Sequence, residues 1–482
     1  MKKLKYSLFV LISILLNNYI YCQVQVGNNF EGSLNTYWHV GGQGADIFNP
    51  VLFSQNPISL SEDGNRVAIH SYSVPLETGV TSIYEWDGST WTQMGEEIIG
   101  DNPSKLSNDG TRIIVKTDGM IKVMNWDGNN WDQLGTAIDI TTVGAIALSP
   151  SGDWFAFREY NSIRDYLHMY SWNGADWEPL GEPLEGPINH DFGILISLAS
   201  DQMVMSIASY PIKGVSQVAI PRYVSTFQWD GVEWVQRGTE IFPDSTDDKL
   251  SFAINISLSN NSNTIAINSS ESFVGGLVYV YDWNGTEWLL RGNKILSAGS
   301  NNGISIGMSN NGDQIYLGHP YYDIDYNEGK AEMHQWTGSE WVLKGNIIEG
   351  TVENDLVGHA VAISGDGLRV AVSSVNADLS NQKYLGRVQV FENFLTSTRA
   401  QEIKQIKISP NPFNDQFTIE LGASNYQEIE ISIFNILGEQ VNYQKITMRD
   451  SIEIQTSNLL VGTYFVYVKK DNKIYNAKLL KS

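Results

Sequence analysis

Trp86-Asp87-Gly88-Ser89-Thr90-Trp91 is the stretch of this chain that decides its fold, because its pattern of two tryptophans recurs. Five further copies span 126–131, 172–177, 229–234, 283–288 and 336–341, and in every copy a glycine follows the second tryptophan by four residues. Successive copies lie 40 to 57 residues apart. A repeat of that length predicts a solenoid or a propeller, in which each unit buries its core against its neighbours.

Each copy has the residues of a β-hairpin. Asp-Gly or Asn-Gly follows the first tryptophan, with Thr337-Gly338 in the last copy, and such dipeptides tolerate the positive φ angles of tight turns. A four-residue loop places the two indoles of a copy opposite each other, where an aromatic pair contributes about 0.2–1 kcal/mol. Sugar stacking is another use of paired indoles, but a pair in every repeat favours packing at the edge of a sheet.

A second hairpin alternates with the first. Leu60-Ser61-Glu62-Asp63-Gly64-Asn65-Arg66-Val67 joins two apolar segments through a polar turn, and the pattern returns at 106–115, 148–157, 198–207, 258–267, 308–317 and 363–372. An Asp in such a turn usually hydrogen-bonds its own backbone, so seven copies indicate a role in the fold. Two hairpins per repeat give four strands, which is the composition of a propeller blade.

The turn hairpin has seven copies and the tryptophan hairpin six. Val388–Asn393 matches the strand before each first tryptophan, but no hairpin follows it. Near the other end, Trp38 and Gly42 have the spacing of the missing outer strand. The sequence therefore predicts an all-β fold: a seven-bladed β-propeller closed by pairing of N- and C-terminal strands, followed by a small immunoglobulin-like β-sandwich.

Short motifs beside the turn hairpins resemble a known repeat. Val143-Gly144, Phe192-Gly193 and Val357-Gly358 precede turns, and Gly318-His319-Pro320 follows one. They are similar to the FG-GAP repeat of integrin-like propellers, and the similarity covers about residues 34–394. It implies the propeller fold and leaves adhesion, ligand binding and scaffolding open as functions.

One loop has oxygen-bearing side chains at alternate positions. Asp323, Asp325 and Asn327 follow one another in this way, which is how calcium-binding loops present their ligands. The integrin-like family binds calcium in loops of this kind. A polar, solvated loop is the alternative, since Gly329 lies one residue later than in the usual calcium loop. Calcium is the one cofactor that the sequence suggests.

The N-terminal segment has the pattern of a secretory signal peptide, residues 1–22. Lys2, Lys3 and Lys5 precede an apolar run too short to span a bilayer, and no later segment is suited to crossing a membrane. Cys22 is the only cysteine; acylation there is the alternative to cleavage near Gln23, although Tyr21 replaces the small residue that acylation needs. A mature chain without a thiol has no disulfide, cysteine-ligated zinc or cysteine nucleophile.

The predicted boundaries are 23–394 for the propeller, 395–402 for a linker and 403–482 for the last domain. This last domain resembles the type A sorting domain of the type IX secretion system of Bacteroidota. Its motifs are Ser409-Pro410-Asn411-Pro412-Phe413, Leu437-Gly438-Glu439 and Gly462-x-Tyr464, in that order. The resemblance implies recognition by that machinery, passage through the periplasm and outer membrane, and release or surface anchoring. An ordinary immunoglobulin-like binding module is the alternative.

The charge and the motifs of the sequence reduce the number of functions that are compatible with it. Residues 23–400 contain 19 basic and 45 acidic residues, a net charge of −26, which repels nucleic acid. The seven histidines are scattered, and no Gly-x-Ser-x-Gly elbow or phosphate loop is present, so the sequence gives no catalytic residues.

Three hypotheses follow. The first is a non-catalytic secreted or surface propeller that binds a glycan, a polymer or a surface protein. The second is a secreted polysaccharide hydrolase or lyase with a carboxylate site at the channel mouth. The third is a structural part of a surface assembly.

Overall fold

The computed structural model describes most of the chain between residues 21 and 481. The described ranges are 21–31, 36–37, 57–73, 75–100, 105–140, 142–211, 221–243, 252–271, 275–297, 305–321, 328–376, 386–395, 407–420, 427–435, 440–448, 451–457, 459–470 and 473–481. Their regular secondary structure is entirely β, and none of them forms a helix able to span a membrane. The predicted signal peptide lies outside them, except for Tyr21 and Cys22. Gln23–Phe394 forms one compact unit, and Leu395–Ser482 belongs to a second.

The strands of the first unit form seven antiparallel sheets, numbered here in chain order. Two N-terminal strands, β1 (Tyr21–Gln25) and β2 (Phe30–Glu31), precede sheet 1. Sheet 1 contains β3 (Thr36–Tyr37), β4 (Ile58–Leu60), β5 (Arg66–Ser73), β6 (Thr78–Trp86), β7 (Trp91–Gln93) and β8 (Ile98–Ile99). Sheet 2 contains β9 (Arg112–Thr117), β10 (Met120–Trp126), β11 (Trp131–Gln133) and β12 (Ile138–Asp139). Sheet 3 contains β13 (Val143–Leu148), β14 (Trp154–Glu159), β15 (Tyr166–Trp172), β16 (Trp177–Pro179) and β17 (Leu184–Glu185).

The remaining four sheets repeat the pattern. Sheet 4 contains β18 (His190–Ala199), β19 (Val204–Pro211), β20 (Tyr223–Trp229) and β21 (Trp234–Gln236). Sheet 5 contains β22 (Phe252–Leu258), β23 (Thr264–Glu271), β24 (Gly275–Trp283), β25 (Trp288–Leu290) and β26 (Ile295–Ser297). Sheet 6 contains β27 (Ser305–Met308), β28 (Gln314–His319), β29 (Lys330–Trp336) and β30 (Trp341–Glu349). Sheet 7 contains β31 (Val357–Ile363), β32 (Arg369–Ser374) and β33 (Arg387–Leu395), to which β1 and β2 are added.

The tryptophan hairpins have the register that the sequence predicts. In all six copies the two tryptophans are directly opposite each other, beginning with Trp86 and Trp91. That first pair has its ring centroids 5.3 Å apart. The positive φ angle belongs to Gly88 alone, at 98°. Asp87 acts through its side chain instead: its Oδ1 accepts hydrogen bonds from the backbone N–H groups of Ser89 and Thr90.

The second tryptophan of each hairpin joins its sheet to the preceding one. Trp131 Nε1 donates to the carbonyl oxygen of Met94 at 2.8 Å, and the five other indoles make the same bond to the previous outer strand. The residue after that carbonyl is a glycine, and a Cβ at Gly95 would lie 2.9 Å from Cζ3 of Trp126. The spacing of tryptophan and glycine that recurs in every repeat is therefore explained by a contact between neighbouring sheets.

The turn hairpins contact one another at the inner strands of the sheets, whereas the tryptophan hairpins lie on the outer strands. Backbone N–H groups in these turns donate from each sheet to the next, in the order Glu62 to Asn108, Asn108 to Pro150, Ser151 to the Ser200 hydroxyl, Asp201 to Asn260, Asn261 to Asn310, Asn310 to Gly365, and Asp366 to Glu62. The last bond joins sheet 7 to sheet 1 at 3.1 Å. The seven sheets are thus connected in a cycle, which is how the blades of a β-propeller are arranged.

The strand that completes sheet 7 is not the one the sequence predicts. Val26 N donates to Val390 O at 2.8 Å, Val26 O accepts from Trp91 Nε1, and Gly27 lies against Trp86 and Trp91. These are the contacts that Met94 and Gly95 make one sheet further on. Tyr37 instead pairs with Tyr72 in sheet 1, and residues 38–42 lie outside the described residues.

The physical reason is that closure uses the carbonyl oxygen and the glycine of the outer strand, and a tryptophan in that strand is not required. Gln23-x-x-x-Gly27 meets that requirement as well as Trp38-x-x-x-Gly42 does. Val26 and Phe30 are also buried among Val388 and Val390 of sheet 7 and Ile58 of sheet 1.

The second unit consists of two sheets packed face to face. One contains β34 (Lys407–Ser409), β35 (Gln416–Glu420) and β38 (Ser451–Gln455), and the other contains β36 (Gln427–Asn435), β37 (Gln440–Met448), β39 (Gly462–Lys470) and β40 (Lys473–Lys481). Alternating residues such as Ile429, Ile431 and Ile433 bury one face of β36 in the shared core. The alternation seen in the sequence thus corresponds to a β-sandwich.

Candidate functional site

The first unit has two different faces. The turn hairpins and the tips of the tryptophan hairpins lie at the same ends of the strands, since Trp86 N donates to Asn65 O in the turn beside it. We call this end the turn face. The opposite ends carry the longer connections within and between sheets, and we call them the loop face. The two faces offer different chemistry.

The polar groups of the turn face largely hydrogen-bond within the turns. Asp109 Oδ1 accepts hydrogen bonds from Thr111 N at 2.9 Å and from Ser107 Oγ at 2.5 Å. Burial would raise the pKa of this carboxyl, but those hydrogen bonds prevail and lower it. Asp63 has the same contacts and the same direction of shift. These aspartates stay charged in order to hold their own turns, as the sequence suggests.

The loop face of sheets 3 and 4 carries a group of apolar and aromatic side chains, of which Ile163, Ile188 and Phe242 are exposed and Tyr223 is buried. Ile163 and Ile188 are 66% and 55% exposed, and Asn189 N beside Ile188 donates to Ile163 O. His190 stands edge-on to Tyr223 at 6.1 Å, and Tyr223 contacts Phe242 at 5.6 Å between centroids. Ile163, Ile188, His190, Tyr223 and Phe242 together are named the loop-face patch.

An ion-pair network holds this patch in place. Arg158 contacts the buried carboxylate of Asp165 at 2.7 Å and the carboxylate of Asp191 at 2.6 Å. Asp165 also accepts a hydrogen bond from Phe192 N, at 3.0 Å, in the strand that follows the patch. The 160–165 loop and the start of β18 are therefore fixed to each other through one guanidinium group.

Sheet 6 contains a buried cluster of ionisable side chains that sequence reasoning missed. Glu332 Oε1 lies 3.3 Å from both His319 Nε2 and His334 Nε2, and its Oε2 accepts from Lys330 Nζ at 3.0 Å. Lys330-x-Glu332-x-His334 is a strand alternation that places all three on one face, so the signal was present in the sequence.

The electrostatics of the cluster favour a structural role. Burial lowers the pKa of His319, although Glu332 partly opposes that effect. Burial would raise the pKa of Glu332, but its hydrogen bonds from His319 and His334 lower it well below its usual range. Glu332 is therefore an anion compensated by Lys330 and two imidazoles. No carboxylate of the cluster is available as a general acid.

The predicted calcium residues Asp323, Asp325 and Asn327 lie outside the described residues, between β28 and β29. Within the described ranges, no group of three or more histidine, aspartate, glutamate or cysteine side chains is arranged to hold a metal ion.

The sorting motif meets the last strand of the chain. Asn411 Oδ1 accepts a hydrogen bond from Leu480 N at 2.9 Å, and Phe413 N donates to Leu480 O at 2.8 Å. Phe413 is buried, and its ring centroid lies 6.4 Å from that of Tyr464. The Tyr464 hydroxyl donates a hydrogen bond to Leu460 O. Gly462 pairs with Lys481 in the neighbouring strand.

Three residues of the predicted sorting motif remain. Pro410 and Pro412 flank Asn411 and are exposed, whereas Gly438 lies outside the described residues. Among the described motif residues, Asn411, Phe413, Gly462 and Tyr464 thus contact or pair with the C-terminal strand.

Comparison with known proteins supports the sorting module. Residues 407–482 match the family described as the secretion system C-terminal sorting domain. A module of this family implies export by type IX secretion to the cell surface or the extracellular space. Ulvan lyase NLR42 of Nonlabens ulvanivorans is 37% identical over 91 residues, which is 18% of this chain and 16% of that enzyme. The chain therefore spans about a sixth of that relative's length.

Solved structures with similar folds are distant in sequence. The β-propeller domain of Cps50 from Myceliophteria thermophila has a TM-score of 0.44 and 10% identity, covering 71% of this chain and 98% of its own. The propeller domain of the Trilobed protease from Pyrococcus furiosus has a TM-score of 0.43 and 9% identity, covering 72% and 96%. The WD40 domain of Toxoplasma gondii coronin has a TM-score of 0.49 and 7% identity, covering 79% and 88%.

Proposed function

We propose that this protein is a closed seven-bladed β-propeller that binds an extracellular glycan, polymer or surface protein without chemical conversion, and that type IX secretion exports it. The seven sheets are its blades, and the hydrogen bond from Asp366 N to Glu62 O is the contact that supports closure. The seven strands of the sandwich suit an immunoglobulin-like sorting domain.

The binding surface in this proposal is the loop face. The observation that carries it is the loop-face patch, in which Ile163, Ile188 and Phe242 are exposed, His190 is half-buried, and buried Tyr223 contacts both His190 and Phe242. Aromatic rings contribute large contact area at low entropic cost, and binding sites are enriched in them. The turn face supports such a role less well, because its carboxylates are engaged within the turns.

The absence of catalysis is part of the proposal. Within the described residues, the buried ionisable cluster of sheet 6 is internally compensated, and Arg158 is paired with two carboxylates. The FG-GAP relationship, calcium binding and removal of the sorting module likewise remain predictions of the sequence.

A binding screen of the mature protein on polysaccharides and cell surfaces tests the proposal. The variants Ile163→Asp and Ile188→Asp change exposed side chains of the patch, so the fold should be retained. Val232→Asp is the matched control, because Val232 is 80% exposed but lies in a tryptophan-hairpin tip on the turn face.

Retention of a ligand that is lost in both patch variants and kept in the control supports the proposal. Equal retention by all three variants contradicts the assignment of the face. Release of oligosaccharides by the wild-type protein contradicts the non-catalytic assignment and favours the hydrolase or lyase hypothesis.

A further inference from the structure

The cycle of sheets encloses a small cavity at its centre, on the side of the turn face. Its described lining comes from all seven sheets and consists of the last residues of the inner strands and the turn residues that follow them. The cavity has a volume of about 120 Å³ for the centres of water molecules, well above the roughly 10–15 Å³ that a single water needs in that measure. A small polar group therefore fits.

Lys105 is the one charged residue in this described lining. The equivalent position, just before the last apolar residue of the inner strand, is occupied in the six other sheets by small residues: Ser59, Ala147, Ser197, Ser257, Gly307 and Ala362. Two of these serines accept hydrogen bonds from the next sheet, as Ser59 Oγ does from Leu106 N at 3.0 Å. The lysine therefore departs from a position that otherwise selects small side chains for close packing.

The ammonium group of Lys105 has no carboxylate partner in the part of the chain that the structure describes. The side chain is exposed to solvent and belongs to the lining of the cavity, as expected for a side chain in a water-accessible channel. The surrounding protein lowers the pKa of this amine. A cation in a channel with low-dielectric walls, with no carboxylate in the described lining, attracts negative charge, so the site favours occupation by an anion.

Two asparagines belong to the same lining and can supply hydrogen-bond donors. Asn108 and Asn260 both line the cavity, and the Asn260 Oδ1 atom already accepts from Ser200 N at 3.0 Å, which leaves its NH₂ group to donate. The described lining thus contains one cation and several asparagines but no carboxylate.

We propose that Lys105, with the amides of Asn108 and Asn260, forms a binding site for one small oxyanion, a carboxylate or a sulfate group, at the turn end of the central channel. This site is separate from the loop-face patch and does not depend on the binding function proposed for it. The acidic surface of the propeller disfavours long polyanions, so a single small anionic group is the favoured occupant.

Titration of the mature protein with sulfate and with acetate by calorimetry, against chloride at matched ionic strength, tests the site. Lys105→Met removes the charge and keeps the length of the side chain, and Lys122→Met in the same sheet is the matched control. We expect saturable binding of one oxyanion per chain, weakened at least about tenfold by Lys105→Met and unchanged by Lys122→Met. The stronger of the two probes identifies the preferred oxyanion.

Thermal unfolding separates this role from a structural one. A lysine held for an anion should be dispensable for folding, so Lys105→Met should melt at the same or a higher temperature in chloride and should lose the stabilisation that the oxyanion gives the wild type. The proposal is overturned if the wild type shows no saturable binding, if Lys105→Met binds as the wild type does, or if Lys105→Met melts lower in chloride.

Discussion

The substitution Gly27→Ala tests whether the N-terminal strand closes the propeller. Gly27 has a φ angle of +72°, and a Cβ there would lie 2.7 Å from Cζ3 of Trp86 and 2.7 Å from Cδ1 of Trp91. Carbon atoms prefer a separation of about 3.5–4.0 Å, so the strand must move outward by about 1 Å. That movement weakens the hydrogen bond from Trp91 Nε1 to Val26 O, which is 2.9 Å long.

The expected magnitude combines two costs. A left-handed backbone costs a residue with a Cβ about 1–2 kcal/mol, and the lost hydrogen bond costs about 0.5–1.5 kcal/mol. We expect Gly27→Ala to lower the free energy of unfolding by about 1.5–3.5 kcal/mol, the sum of the two costs. Gly88→Ala carries the backbone cost alone, because φ is +98° and no atom lies within 4 Å of its Cβ position.

Tryptophan fluorescence during urea unfolding measures this difference in the protein spanning residues 23–482. All 14 tryptophans precede residue 395, so the signal reports the propeller alone. Gly95→Ala is the positive control, because its Cβ would lie 2.9 Å from Cζ3 of Trp126 in an internal contact of the same kind. The reasoning is refuted if Gly95→Ala shifts the midpoint further than Gly88→Ala and Gly27→Ala does not.

Three further outcomes follow from the described contacts. Trp91→Phe should cost at least about 1 kcal/mol in the same unfolding assay, since it removes the indole hydrogen bond to Val26 and part of the ring contact with Trp86; no change would contradict a contact between first and last sheets. Asp109→Asn should be nearly neutral and Asp109→Ala should cost about 1 kcal/mol, because an amide oxygen still accepts from Thr111 N; equal losses would show that charge matters more than the turn. Glu332→Gln should cost about 3–5 kcal/mol by leaving Lys330 uncompensated, whereas exposed Glu340→Gln should cost almost nothing; similar midpoints for the two variants would contradict the buried ion pair.

The same cluster predicts a pH dependence of stability. Burial lowers the pKa of His319 from 6.5, and its hydrogen bonds lower that of Glu332 from 4.5. Each group binds its proton more weakly in the folded state, so stability is present above the unfolded pKa and is lost as the pH falls. We expect the melting temperature to fall below about pH 6.5, and Glu332→Gln to remove the part of the loss that occurs near pH 4. A melting temperature that rises on acidification would contradict this assignment.

The sequence predicts most of the fold because each repeat contains the residues that make the contact between neighbouring sheets. Trp86 and Trp91 fix a register, and Gly95 records the close approach of the next sheet. The sequence misplaces the closing strand because the tryptophan spacing points to Trp38 and Gly42. The closing strand makes its contacts through the carbonyl oxygen of Val26 and through Gly27, which has no side chain. A backbone carbonyl is present in every residue and glycine is common, so the sequence marks this strand only weakly.

The candidate sites are less accessible to sequence reasoning. Ile163 and Phe242 come together only when two sheets are placed side by side, so no local pattern marks the loop-face patch. Lys105 is different: it stands out once the seven turn hairpins are aligned, because the six other sheets have serine, alanine or glycine there. Its significance depends on the cavity, which only the cycle of sheets creates.

Disulfide trapping tests the central claim, that the N-terminal strand beginning before Val26 closes the propeller. The hydrogen bond from Val26 N to Val390 O has the same position as that from Met94 N to Ile83 O, and this register places Gln25 opposite Phe391. The alternative drawn from Trp38 and Gly42 would instead place Val40 opposite Phe391. A cysteine at 391 can therefore be paired with one at 25 or one at 40, with Cys22 replaced by serine. We predict that Gln25→Cys forms the cross-link under native conditions and Val40→Cys does not; the reverse result, read by mass spectrometry of the linked peptides, would contradict the account.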